Sequence, residues 1–92
     1  MIRVDKIVTI EPNFLVCTLN NGVSKKIDIT TLINKHSKLN GIEKLKNFDY
    51  LKSARIGIFG EIYWEDTIKN SKNEIWNYDI SPEFIFNNGL SI

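Results

Sequence analysis

The sequence is short of the residues on which most enzymes and metalloproteins rely. It has one cysteine, Cys17, and one histidine, His36, so an internal disulfide, a multi-cysteine metal site and a pair of imidazoles are all excluded. Arginine occurs only as Arg3 and Arg55, and twelve basic residues stand against eleven acidic ones for a net charge of +1. A nucleic-acid footprint ordinarily needs clustered Lys and Arg and a high isoelectric point, so nucleic acid is not the expected partner. No apolar run approaches the ~20 residues of a membrane-spanning helix. Met1-Ile2-Arg3-Val4-Asp5-Lys6 is charged from its start, unlike the apolar core of a secretory signal, so the cytoplasm is the expected location. The Gly-Lys-Ser/Thr string of a phosphate-binding loop is also missing. Internal repeats and low-complexity tracts are absent.

What is present fits one small α+β domain spanning residues 1–92. With 42% hydrophobic and 25% charged residues, the chain lies in the ordinary globular range. A domain of this size buries roughly 60–65% of the surface that its unfolded chain exposes, enough for one modest core. The bias toward Ile, Asn and Lys, all with A/T-rich codons, reports genome composition rather than a binding task.

Val4 to Ile10 alternates as a strand, with Ile2, Val4, Val8 and Ile10 on one face and Lys6 interrupting it. Glu11-Pro12-Asn13 is a turn. Phe14 to Asn20 is apolar on both faces, as a central strand should be. Asn21-Gly22 predicts a hairpin with a two-residue loop, both residues at positive φ. That loop pairs Asn20 with Val23, Val16 with Ile27 and Phe14 with Ile29, leaving Ser24, Lys26 and Asp28 on the opposite face. The first three strands therefore make an antiparallel meander.

Cap oxygens from Asp28 to Thr31 start a short helix that ends near Lys35. Lys35 to Gly41 reads as a polar loop, and Asn47 caps a second short helix with Phe48 and Leu51. Ala54 to Phe59 is expected as a strand with an irregularity at Gly57, followed after Gly60 by a strand from Glu61 to Trp64. Glu65 to Asn73 reads as a long mobile loop and Glu74 to Ile80 as the last strand. Ser81-Pro82-Glu83 opens a C-terminal helix, and Asn87-Asn88-Gly89 ends it with left-handed backbone.

Four local strings in this order resemble the bacterial family known as domain of unknown function 2442. They are the strand–Asn-Gly–strand unit ending in Ile27-Asp28-Ile29, the run from Asn47 to Ile56, Gly60-Glu61-Ile62-Tyr63-Trp64, and Asp79-Ile80-Ser81-Pro82-Glu83 with Phe86. The family usually has an aromatic where Leu51 stands and often Tyr where Phe86 stands. It typically moves from its Trp to its Asp through a short Pro-Asn-Gly turn, whereas here Glu65 to Tyr78 intervenes and brings a second tryptophan, Trp76. Either Trp64 or Trp76 matches the family tryptophan, and Gly60 ahead of Trp64 favours the former. The resemblance implies an α+β domain without established activity, whose relatives are often small stand-alone proteins. Some are fused to a helix-turn-helix domain, and some are encoded beside another small protein in toxin–antitoxin-like pairs. It brings no catalytic residues and no cofactor.

Among individual residues, His36 reads as a solvated loop residue and Cys17 as a core or half-buried strand residue. Glu61, Glu65 and Asp66 are the densest acid cluster. Paired carboxylates there suit acid–base work or a hard cation, but strand-end charges that keep an edge soluble are commoner. Gly57-Ile58-Phe59-Gly60 has the spacing of some RNA-binding loops without their basic residues. Nine aromatics, from Phe48 to Phe86, concentrate in the second half, and any left exposed would mark a partner surface. Placing Ile62, Trp64, Trp76 and Tyr78 in the core leaves Glu61, Tyr63, Glu65 and Ile75 on the other face, an apolar spot rimmed by acids. The expectation is a non-catalytic protein-interaction or regulatory domain binding a basic protein or a second copy through that face. The alternatives are a nucleic-acid-binding regulator and an enzyme using the acid cluster.

Overall fold

The computed structural model describes all 92 residues, and its first half is the expected antiparallel meander. Strands β1 (Val4–Glu11), β2 (Phe14–Leu19) and β3 (Ser24–Asp28) lie in that order, with β2 in the middle. Leu15, Cys17 and Leu19 are buried on one face of β2, while Phe14, Val16 and Thr18 are half-buried on the other. The face expected for β1 is corrected. Val4 and Lys6 pair with Leu19 and Thr18, and Ile7 and Thr9 pair with Cys17 and Val16, so Asp5 and Val8 are extra residues. Each bulge turns the strand, so the apolar residues that meet the core are Val4, Ile7 and Ile10, three apart, while Val8 is 51% exposed.

The register of β2 with β3 also differs from the expected one by a residue. Thr18 faces Ser24, Leu15 faces Ile27, Val16 faces Lys26 and Phe14 faces Asp28. The loop has three residues, Asn20-Asn21-Gly22: Gly22 N–H donates to Leu19 O (2.9 Å) and Leu19 N–H to Val23 O (2.8 Å). Gly22 has φ +86° and Asn21 keeps a negative φ, the geometry of a type I turn followed by a left-handed residue. Asn20 is drawn away from Val23 because it binds the N-terminal segment. Its side chain accepts from Arg3 N (3.0 Å) and donates to Met1 O (2.9 Å).

Helix α1 (Ile29–Lys35) is capped by Asp28, whose carboxylate accepts from Thr31 N at 3.0 Å, and it buries Ile29, Leu32 and Ile33. A 3₁₀ turn over Ile42–Lys46, which the sequence pattern did not suggest, seats Ile42 and Leu45 in the core. Asn47 then caps α2 (Phe48–Leu51), as its position implied.

The second sheet departs further from expectation. Strand β4 is only Arg55–Ile56, because the chain turns at Gly57–Gly60, with Gly60 N–H donating to Gly57 O at 3.0 Å. Strand β5 runs from Ile62 to Lys69, so most of the stretch expected as a mobile loop is strand, and only Asn70–Asn73 turn back into β6 (Ile75–Ile80). The pattern was masked by a wide bulge: Trp64 pairs with Tyr78 and Ile68 with Trp76, leaving Glu65, Asp66 and Thr67 opposite Asn77. Helix α3 (Pro82–Asn88) is capped by Ser81. It does not end in left-handed backbone, since Gly89 has φ −75°; the chain continues extended into β7 (Leu90–Ser91), which pairs with β3. The result is α+β, with sheets β1-β2-β3-β7 and β4-β5-β6.

The two sheets and the helices share one apolar cluster running from Val4 and Leu15 through Leu32, Leu45 and Leu51 to Trp64, Tyr78 and Ile85. No helix is long and apolar enough to cross a membrane.

Candidate functional site

The bulge in β5 determines what the second sheet presents. Trp64 is fully buried, and its indole N–H donates to Leu51 O at 3.0 Å, fastening β5 to α2. Asp66 takes φ +54°, its N–H donating to the Asn77 side chain at 3.1 Å. Thr67 is buried and donates to Trp64 O (3.0 Å), and the Tyr50 hydroxyl meets both Glu65 O and the Thr67 hydroxyl. Burial raises the Tyr50 pKa, the hydrogen bond with Thr67 works against that shift, and the charges of Asp66 and Glu65 add to it. From the other side, Lys69 N–H donates to Asn40 O (2.9 Å) and the Lys44 ammonium to Asp66 O (3.0 Å). The irregular backbone is thus held by α2, by the loop before the 3₁₀ turn and by β6.

Ile62 and Trp64 point into the core, so the odd residues Glu61, Tyr63 and Glu65 turn outward. Tyr63 is half-buried between Arg55 of β4 and Asp79 of β6. A shallow cleft of about 340 Å³ forms here, lined by Ile56, Ile58, Glu61, Tyr63, Asn77 and Asp79. The Glu61 carboxylate accepts from Phe59 N (3.0 Å), closing the Gly57–Gly60 turn. Glu65 pairs with Arg55, Nε to Oε1 at 3.4 Å, whereas Glu61 and Asp79 have no cationic partner. The cleft therefore sets the apolar surface of Ile56, Ile58 and Tyr63 beside two carboxylates that lack a cationic partner. The structure brings Glu61, Tyr63 and Glu65 onto one face. It sets Ile75, exposed at 59%, beyond the bulge opposite Lys69, four residues along β6 from the Asp79 that faces Tyr63.

Trp76 is not in the core as expected. Alternation puts it on the same side of β6 as Tyr78, but it lies on the far side of the bulge and is 58% exposed. Together with Phe59, 67% exposed at the β4–β5 turn, it is an aromatic that the packing of the domain does not use. His36 also differs from the solvated loop residue expected. It is half-buried, its Nδ1 lies 2.6 Å from the Tyr78 hydroxyl, and its ring stands 5.6 Å from those of Tyr78 and Phe84. Desolvation, helped by the Asp79 charge, pushes the Tyr78 phenol well above its ordinary pKa. Cys17 is fully buried, and burial raises its thiol from 9.0 to about 11, so it is a packing residue with little thiolate character.

The three acids do not converge: Glu61 closes its own turn, Glu65 faces Arg55, and Asp66 sits at the bulge. No three of the His, Cys, Asp and Glu side chains come together at metal-binding distance. A second depression, of about 360 Å³, lies between β3, α1 and α3, bordered by Lys26, Lys35 and Phe84; the Lys26 ammonium rests 4.2 Å from the centre of the Phe14 ring. No protein-family model, curated protein or solved structure matches the chain.

Proposed function

We propose that this chain is a non-catalytic, cytoplasmic protein-interaction domain whose acid-rimmed cleft on β5 receives a basic segment of a partner protein. The observation that carries this reading is the pair of unneutralised carboxylates, Glu61 and Asp79, flanking the apolar surface of Ile58 and Tyr63. A small apolar centre with a charged rim is the anatomy of a modest contact site, and like charges on the rim favour a partner of opposite sign. The resemblance to the domain of unknown function 2442 family supports a role as the antitoxin-like or accessory member of a bacterial protein pair.

The test is co-expression with the protein encoded by the adjoining reading frame. The two are expected to co-purify, with an affinity that falls as salt is raised. Glu61→Lys combined with Tyr63→Ala should abolish the complex while leaving the circular dichroism spectrum unchanged. A neighbour that does not bind, or that binds the double variant equally well, overturns the proposal.

A further inference from the structure

Four strands lie at sheet edges: β1 and β7 in the first sheet, β4 and β6 in the second. An edge strand offers unpaired main-chain N–H and C=O groups to any other strand. Folded proteins blunt such edges by brevity, bulges, charges or proline. Strands β4 and β7 are two residues each. Strand β1 is longer, but it has two bulges and carries Asp5, Lys6 and Glu11.

Strand β6 has almost none of these devices. Its six residues, Ile75-Trp76-Asn77-Tyr78-Asp79-Ile80, include no lysine, proline or glycine, and the extra residues of the neighbouring bulge all belong to β5. No main-chain group from Ile75 to Ile80 bonds to anything beyond its own sheet. Glu74 O accepts from Asn70 N at 3.0 Å, so alternation turns the amide groups of Ile75, Asn77 and Asp79 away from β5.

We infer that β6 pairs antiparallel with β6 of a second copy, about a two-fold axis through Asn77. In that register the outward-facing residues bond one another: Asn77 faces Asn77, and Ile75 faces Asp79. Trp76 then stands opposite Tyr78 of the second copy, whose ring is buried, so the exposed indole lies over the edge of that copy's core. The only charge on the strand, Asp79, meets an apolar residue rather than its own copy. A net charge of +1 adds no appreciable repulsion between copies. Pairing covers Ile75 and Trp76, both more than half exposed, and joins two three-stranded sheets into one of six strands. A strand whose register complements itself about a two-fold fits the commonest symmetry of protein assemblies. Asn77 and Asp79 border both the cleft and this edge, but the cleft is tested at Glu61 and Tyr63, neither of which lies on β6, so the two proposals fail separately.

Sedimentation equilibrium at about 100 μM protein should give twice the 10.7 kDa chain mass. Ile75→Pro removes an outward N–H that β5 does not use, so it should weaken association at least tenfold with an unchanged circular dichroism spectrum. Cross-linking covers the case in which proline disturbs the hairpin. Residues facing each other in a hydrogen-bonded antiparallel pair have Cα atoms ~5.5 Å apart, within the ~4.4–6.8 Å span of a disulfide. Two copies of residue 79 stand roughly 13 Å or more apart in this register. Mild oxidation should therefore link Asn77→Cys into a covalent dimer and leave Asp79→Cys unlinked, with the native Cys17 silent because it is fully buried. A wild-type chain that stays monomeric at that concentration overturns the inference. So does a dimer that survives Ile75→Pro, or one that links through residue 79 as readily as through 77.

Discussion

The two sheets of this protein are specified in different ways. In the first, β1, β2 and β3 are joined by tight turns, and one buried face runs through Leu15, Cys17 and Leu19. In the second, β5 is bent by three residues set against one, and its conformation depends on Tyr50, Asn40 and Lys44, all distant in sequence. Turns and nearby contacts shape the meander, whereas the β5–β6 hairpin is held by residues distant in sequence.

Substitutions that separate local from tertiary control sharpen this contrast. The largest effect is expected from Trp64→Ala, which empties a fully buried site and removes the bond to Leu51 O. A loss of about 3–5 kcal/mol should appear in denaturant titration. A loss under about 1 kcal/mol would show that the bulge does not depend on its anchor. Next comes Gly41→Ala. Gly41 has φ +107°, and a methyl group there would fall inside contact distance of the Thr67 carbonyl oxygen. At least about 2 kcal/mol should be lost, with the amides of Thr67 to Lys69 the first to lose protection from hydrogen exchange. In the meander, Gly22→Val should cost about 1–2 kcal/mol because of its positive φ, while Asn21→Thr should cost under about 1 kcal/mol. Equal costs at the two positions would restore the two-residue loop. The smallest effect belongs to Val8→Thr, within about 0.5 kcal/mol by thermal melting, since Val8 is the extra, exposed residue of a bulge.

Much of the architecture was legible from caps and turns. Asn47 and Ser81 each start a helix where their side chains predict one, and of the candidate oxygens from Asp28 to Thr31 it is Asp28 that caps α1, because a cap bond is made within three residues. The bulges were not legible. Alternation in β1 breaks twice, and a reader who counts by two assigns Val8 to the core and misses Ile7. The one-residue error at Asn21-Gly22 has a similar origin: Asn20 is engaged by Met1 and Arg3, a contact that no local signal records. In the second sheet, the stretch from Glu65 to Asn73 has a single apolar residue, Ile68, and so reads as a loop, although tertiary bonds make most of it strand.

The candidate site was half legible. Alternation alone puts Glu61, Tyr63 and Glu65 on one face, and the structure keeps them there. Ile75 was grouped with them because an unbroken register was assumed, and the bulge carries it and Trp76 away toward the tip of the hairpin. The contribution of Asn77 and Asp79 to the cleft depends on that register, so no reading of isolated strands would have found it.

The bond from Val4 N–H to Gly60 O, 3.0 Å long, is the only main-chain hydrogen bond linking the first sheet to the β4–β5 turn. It joins residues 56 positions apart (60 minus 4), and that separation orders events during translation. At ~5–20 residues per second, Gly60 is added roughly 3–11 s after Val4. The meander can pair its own strands in that interval, and Leu32, Leu45 and Leu51 emerge within it, but the core that the Leu15–Cys17–Leu19 face belongs to stays incomplete until Trp64, Tyr78 and Ile85 have been made. Until then the nascent chain displays a partly covered apolar sheet, the kind of surface that ribosome-associated chaperones bind.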